Sequence, residues 1–324
     1  MIKTAIWLSW RVDYALAEEI LERIGQISMS DSSIWRQVEK WGEHIAAENA
    51  RASRQSTAVA DTWESVRRLK EPAGRMGVAM DGGMINIREE GWKELKVGCI
   101  FDIETRPEPD VYTEEIVDTG HAIDMSYVTH LGGPEQFGRG LWREAERRGW
   151  EHARETEALG DGAAWIWNQV QDHFYTSHQV VDWYHGADHL AVAARSLHGE
   201  GTDAAKRWLK RNRLALYQGH AARIAQELAF AATENGIHAD ALKREAGYFH
   251  HHQRRMNYLE MRENGWLIGS GVVESGIKQF KARFAGPGMR WSRAGAERLL
   301  PICESILSHR FDHIWNAAYY SPQN

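Results

Sequence analysis

Three acidic residues stand in settings that suit chemistry. Asp81 lies in "VAMDGG", Asp161 in "EALGDGAAW", and Glu274 in the glycine-rich "LIGSGVVES". Each aspartate closes a short apolar run of buried-strand type and has glycine beside it. In an open α/β sheet, ligands gather outside the strand ends, where side chains point clear of the core. Neighbouring glycines let a bulky, charged ligand approach the backbone closely. Three carboxylates on separate elements suit Mg²⁺, which wants hard oxygen ligands and combines protein carboxylates with substrate phosphate. Two such ions about 4 Å apart can activate an attacking oxygen and stabilise a leaving one. Each acid alone also has a plain structural use. Gly-Asp-Gly is common turn vocabulary, Asp81 fits a β-turn, and Glu274 is a first-turn acid favoured by the helix dipole.

Other positions could serve such a centre. Residues 278–298, "KQFKARFAGPGMRWSRAGAER", carry Lys278, Lys281, Arg283, Arg290, Arg293 and Arg298 against one acid, Glu297. Lys278, Lys281 and Arg283 follow Glu274 at helical spacings, so they form either a solvated face or a phosphate-gripping ridge. Trp291 sits between Arg290 and Arg293 in a setting that stacks on an unpaired base or simply packs. Trp165 and Trp167 follow Asp161 and read as wedges seating a helix on the sheet. His250, His251 and His252 are consecutive and cannot face one ion from a helix, which makes them a solvated patch.

The elements needed to position these groups are legible. Residues 13–75 have helical periodicity. Ala17, Ile20, Leu21 and Ile24 form one face, and Ile34, Val38, Trp41 and Ile45 a second, with Arg36 and Lys40 elsewhere on that helix. Two helices across a glycine-containing turn match a helix-turn-helix, as any helical hairpin does. Strands are expected at 76–83, 94–104, 122–130, 156–161 and 178–185, with helices from Pro134 and over 163–174. That is an α/β layout with a mixed sheet. Residues 184–262 are almost wholly helical in pattern. A last long helix follows the glycines at 269–271, and a closing helix is expected to break at Pro301.

The chain has 324 residues and a net charge of −6, which argues mildly against nucleic-acid binding outside the local basic stretch. Cys99 and Cys303 build no disulfide framework and no metal-type pair, so a reducing cytoplasm fits. The N-terminal apolar patch is too short to span a bilayer, and no membrane partner is expected.

Taken together, "VAMDGGMI", "EGWKELKVGCIFD", "LGDGAAWIWN", "VVDWYHGADHL", "IGSGVVESGIKQFKARF" and "GMRWSRAGAE" resemble the DDE-type transposases, whose catalytic domain is ribonuclease H-like. The likeness is closer to bacterial insertion-sequence transposases of the Kra group, distant relatives of Mutator-type enzymes, and covers about residues 10–316. It implies Asp81, Asp161 and Glu274 as catalytic metal ligands. Asp182 and His185 match a D-x-x-H element of Mutator-like enzymes, although Asp182 also suits a helix cap and His185 a buried hydrogen bond. Implied too are two Mg²⁺ ions, for which Mn²⁺ can substitute, and double-stranded DNA, both transposon ends and target, as partner. A nucleoid-associated place in the cytoplasm goes with this, and such enzymes often pair two ends as homo-oligomers. The DNA-contacting set expected is Lys278, Lys281, Arg283, Arg290, Trp291, Arg293, Arg36 and Lys40.

On this reading a helix-turn-helix-like segment spans 1–75, the ribonuclease H-like core 76–183, an all-helical insertion 184–262, and the core's completion 263–324. The family usually carries a longer, often cysteine-rich N-terminal region, so an N-terminally truncated chain is expected. Alternatives are a nuclease or resolvase without strand transfer, and a non-mobile DNA-binding relic.

Overall fold

The computed structural model describes residues 1–55, 73–234 and 236–320. Three long strands, β1 (Ala73–Ile87), β2 (Gly91–Pro109) and β3 (Ile116–His130), form an antiparallel meander. Helix α4 (Pro134–Arg147) then carries the chain to β4 (Ala153–Gly160), which pairs parallel to β1. Helix α5 (Ala164–His173) leads to β5 (His178–Val181), parallel to β4. The strand order is β3-β2-β1-β4-β5, the mixed-sheet arrangement of a ribonuclease H-like core.

β1 runs four residues beyond Gly83, where the two glycines suggested an end. The two-residue alternation continues through Ile85 and Ile87, both fully buried, so one face still gains by staying in the sheet. Pairing with β4 stops at Met80, and from there β1 pairs with β2, with one bridge from Ile87 to Trp291 at its end. The glycines make room instead. A Cβ on Gly82 would meet the Glu94 carboxylate at 2.5 Å, and one on Gly83 the Lys281 side chain at 2.9 Å.

The helical insertion comprises α6 (Trp183–His198), α7 (Asp203–Tyr217), α8 (Ala221–Glu234), α9 (Ala239–His252) and α10 (Tyr258–Glu263). It is tied to the sheet by the buried Tyr258 hydroxyl, which donates to the Val181 carbonyl at 2.9 Å. At the far end of β2, Asp110 accepts from the Tyr217 hydroxyl at 2.8 Å and pairs with Arg262 at 2.5 Å. The chain returns to the core through α11 (Gly271–Phe284), α12 (Arg293–Leu307) and α13 (Phe311–Tyr320).

Two expectations change here. Pro301 lies inside α12 without ending it; the break comes at Ser308–Arg310, where His309 has φ +54°. Leu299, Leu300, Ile302, Cys303 and Ile306 are buried on both sides of the proline, and their packing outweighs one missing backbone hydrogen bond.

The N-terminal helices also depart from a helix-turn-helix. The first ten-residue helix, α1 (Ile2–Arg11), is followed by α2 (Tyr14–Arg23), and residues 24–30 separate α2 from a long α3 (Asp31–Gln55). That connection exceeds the tight turn of the DNA-reading motif. Val38, Trp41 and Ile45 of α3 enter the same apolar cluster as the sheet residues. Gly42 lies so close to α12 that a Cβ would stand 2.1 Å from the Arg298 carbonyl oxygen. Arg298 also pairs with Glu39 and Glu43 of α3. The segment 1–55 is therefore built onto the core rather than held apart from it; the expected helical stretch at 56–72 lies outside the described residues. Among the described residues, no helix is long and apolar enough to cross a membrane.

Candidate functional site

Sheet register explains why the aspartates converge. The parallel ladder between β1 and β4 ends at Met80 and Gly160, and that between β4 and β5 at Gly160 and Val181. Asp81, Asp161 and Asp182 are the next residues on three adjacent strands. They stand side by side at the carboxyl edge of the parallel part of the sheet, where side chains clear the packed layers.

Each has its own setting. Asp81 accepts the Gly82 N–H at 2.6 Å. Burial pushes its carboxyl pKa up to about 6 against that hydrogen bond; the Asp161 charge raises it further, and His185 and Lys281 pull it down. Asp161 accepts the Ala163 N–H at 2.7 Å through Oδ1, while its carbonyl accepts the Trp167 indole N–H at 2.9 Å. It thus holds the turn into α5 and presents a carboxylate beside Asp81.

Asp182 is fully buried and acts as a joint. One carboxylate oxygen caps α6 by accepting the His185 N–H at 2.9 Å, and the other accepts the Ser270 N–H just ahead of α11. The Trp183 N–H adds a bond to the Ile268 carbonyl at 2.8 Å. These links place Glu274, in the first turn of α11, near the sheet edge. The Ser270 hydroxyl and the Lys278 ammonium each approach its carboxylate at 3.5 Å.

Potential ligand atoms of Asp182, His185 and Glu274 lie within 4.8 Å of one another. Asp81, His185 and Glu274 also line a cavity of about 480 Å³, together with Tyr184, Asp188 and Lys281. Carboxylate oxygens gathered beside one imidazole can hold a hard divalent cation, with the oxygens as principal donors.

Behind Asp161 the insertion closes against the sheet. A Cβ on Gly162 would come within 2.4 Å of the Tyr248 ring in α9. Tyr248 stacks on His189 with ring centroids 3.5 Å apart, and His189 Nδ1 lies 2.6 Å from the Glu245 carboxylate. The Tyr248 hydroxyl is buried without a hydrogen-bond partner among the described residues. Burial raises its pKa, and the negative charges of Asp161 and Asp182 add to the effect. The histidine run is not a uniform solvated patch. His250 and His251 are exposed, but His252 is buried near Gly162 and held at a pKa of about 4 by burial first and by the nearby His251 and Arg255 charges.

The basic stretch divides. Lys278 and Lys281 border the cavity, and Arg290 is exposed. Arg283 is instead only 4% exposed; its Nε donates to the Ser9 carbonyl at 2.6 Å and its guanidinium lies against Tyr14 and Trp291. Trp291 donates its indole N–H to the Phe284 carbonyl at 3.0 Å, and its backbone bonds to Asn86 and Arg88. Arg293 is forked onto Glu90 at 2.5 and 2.6 Å and also bonds the Leu131 carbonyl. These three residues join α11 and α12 to the rest of the fold; burial removes Arg283 from the expected DNA-contacting set, while Trp291 and Arg293 stay partly exposed. Arg36 and Lys40 are exposed on α3, and among the described residues Lys40 borders a separate hollow with Trp41 and Tyr319. Trp167 is buried as a wedge, and Trp165 meets Phe137 edge-on at 5.7 Å.

Sequence reasoning missed Tyr184, Asp188 and Tyr248. The first two are one turn apart on α6, immediately after Asp182, and the cap reading of that residue puts them at the start of a helix without showing that they face the cavity. Tyr248 carries no such signal, because only tertiary packing brings α9 to Gly162. No protein-family model matches the chain, and no curated protein matches it.

Proposed function

We propose that the chain is a divalent-metal-dependent DNA strand-transferase of DDE transposase type. Asp81 and Asp161 stand at equivalent strand ends, and Glu274 of α11 lines the same cavity as Asp81, though Asp161 is not among its lining residues; this arrangement carries the reading. The donor chemistry fits the group: oxygens predominate, and Asp81 is a carboxyl whose ionisation is opposed by burial and by a neighbouring negative charge. Asp81, Asp161 and Glu274 would hold two Mg²⁺ or Mn²⁺ ions. Bound there, the cations would supply Lewis-acid charge to the scissile phosphate and its leaving oxygen.

The chain's own groups account for positioning. Lys281 and Lys278 offer cationic ends for non-bridging phosphate oxygens, while Asp182 fixes the start of α11 and so the approach of Glu274. In the first step water attacks phosphorus and gives up its proton to solvent, and the bond to the 3′-oxygen breaks, that oxygen taking a proton from solvent to become a 3′-hydroxyl. In the second, that hydroxyl attacks a target phosphodiester, displaces the target's 3′-oxygen and forms one new bond for the one lost. Transition-state charge is met mainly by preorganised electrostatics.

The test uses a supercoiled plasmid carrying the DNA that flanks the gene, with Mg²⁺ or Mn²⁺. Nicked and then joined products are expected from the wild type, and Asp81→Asn should lose both while retaining DNA binding. Cleavage by Asp81→Asn at the wild-type rate overturns the assignment. A second reading, a nuclease or resolvase that never joins strands, draws on the departure of α2 and α3 from a helix-turn-helix and the docking of α3 on the core. Nicked products without joined ones select it.

A further inference from the structure

Some surface cations elsewhere in the helical insertion have carboxylate partners on their own helices, while exposed Arg195, Arg244 and Arg254 stand without an ion pair among the described residues and share no stripe of four. Arg223 pairs with Glu227 at four residues' spacing in α8, and Lys243 with Asp240 at three in α9. Helix α7 differs. Lys206, Arg207, Lys210 and Arg211 are all exposed and fall on one stripe at i, i+1, i+4 and i+5, which exposed Leu214 continues. Lys206 has the loose, solvent-exposed contact with Asp203 at 3.5 Å. Arg207, Lys210 and Arg211 have no ion-pair partner among the described residues.

A concentrated positive stripe on a chain of net charge −6 focuses a local field that attracts anionic partners. Its place in the fold supplies the occupant. The last turn of α7 packs against the first turn of α6: Leu216 faces Gly186, and Tyr217 meets Trp183 with ring centroids 6.0 Å apart. That same turn of α6 lends Tyr184 and His185 to the carboxylate cavity. From Leu216 back to Arg207 the helix rises about 14 Å at 1.5 Å per residue. This length corresponds to about four base-pair steps at 3.4 Å each.

We infer that Arg207, Lys210 and Arg211 form a second phosphate-contacting track, which grips the backbone of duplex DNA a few base pairs from the cut. The inference rests on the strand-transferase reading for its choice of duplex DNA. The track contacts phosphates and carries no sequence preference of its own.

Fluorescence anisotropy of the full chain with an arbitrary duplex of about 30 base pairs, from about 50 to about 200 mM KCl, tests it. Arg207→Glu/Arg211→Glu should weaken binding roughly tenfold or more at about 100 mM salt and flatten the slope of log K against log salt by about 2. The charge-matched control Arg223→Glu/Lys243→Glu should change the slope by less than half as much. Arg207→Gln/Arg211→Gln, with an unchanged melting temperature, separates lost contacts from lost folding and should flatten the slope nearly as far. Equal slopes for wild type and the α7 variants overturn the track while leaving the enzymatic reading intact. If the wild type itself shows no salt-dependent duplex binding, the track and the DNA reading fall together.

Discussion

Asp81 is a carboxylate held where its charge is unwelcome. Its pKa of about 6 lies above the ordinary 3.8, chiefly because burial penalises ionisation, with the Asp161 charge adding to the shift. The sign follows. Below about pH 4 the group is neutral in both folded and unfolded chains and contributes nothing. As pH rises through 4 to 6 the unfolded chain releases the proton first, so folding loses stability, and the loss is complete above about 6. Without divalent cations at pH 7.5, Asp81→Asn should therefore raise the melting temperature, by up to about 2–3 kcal/mol of stability, and the gain should vanish near pH 4. Mg²⁺ or Mn²⁺ should raise the melting temperature of the wild type and have little effect on the variant. A variant melting at or below the wild type at pH 7.5 contradicts the electrostatic account.

At the level of elements, the decisive contact is between the turn after β4 and α9. Gly162 lets the Tyr248 ring lie where any Cβ would stand, at 2.4 Å, and this seats the insertion directly behind Asp161. Gly162→Ala should cost about 1–3 kcal/mol through overpacking. Replacing Tyr248 by Leu in the same chain should recover part of that loss, giving a coupling energy above about 0.5 kcal/mol in a double-mutant cycle. Additive losses would show that the two residues are not in contact. Asp182 plays the complementary part at the β5–α6 junction. Its identity as a helix cap is readable from the sequence, but its second bond, to the Ser270 N–H, joins residues far apart along the chain and is not.

Among the described residues the large apolar cluster of the sheet takes in α1 and α3 as well, and a smaller one, Ala5, Ala17, Leu21 and Ile34, ties α2 to those two helices. An N-terminal module hung on a linker would melt on its own; these helices should melt with the core. Gly42→Ala places a Cβ 2.1 Å from the Arg298 carbonyl oxygen and must push α3 from α12. The expected result is a single cooperative transition lowered by about 2 kcal/mol or more. Separate transitions for the N-terminal helices and the sheet, followed by amide hydrogen exchange, would refute the shared core. The basic stretch after Glu274 teaches the same lesson at this scale: Arg283, Trp291 and Arg293 are spent on holding α11 and α12 to the fold, while Lys278 and Lys281 remain at the cavity.

Local patterning was enough to determine the alternation of strands and helices, the mixed sheet, the helical stretch after β5, and the acids that end apolar runs. Those features depend on neighbours two to four residues away, and period-two or period-3.6 burial records them directly. Tertiary structure alone decided that Pro301 is tolerated, that α3 docks on α12, and which cations stay free. Each of those outcomes turns on contacts between residues dozens to hundreds of positions apart. There, the volume of one missing Cβ or the pairing of one guanidinium outweighs local propensity, and neither is written in the adjacent sequence.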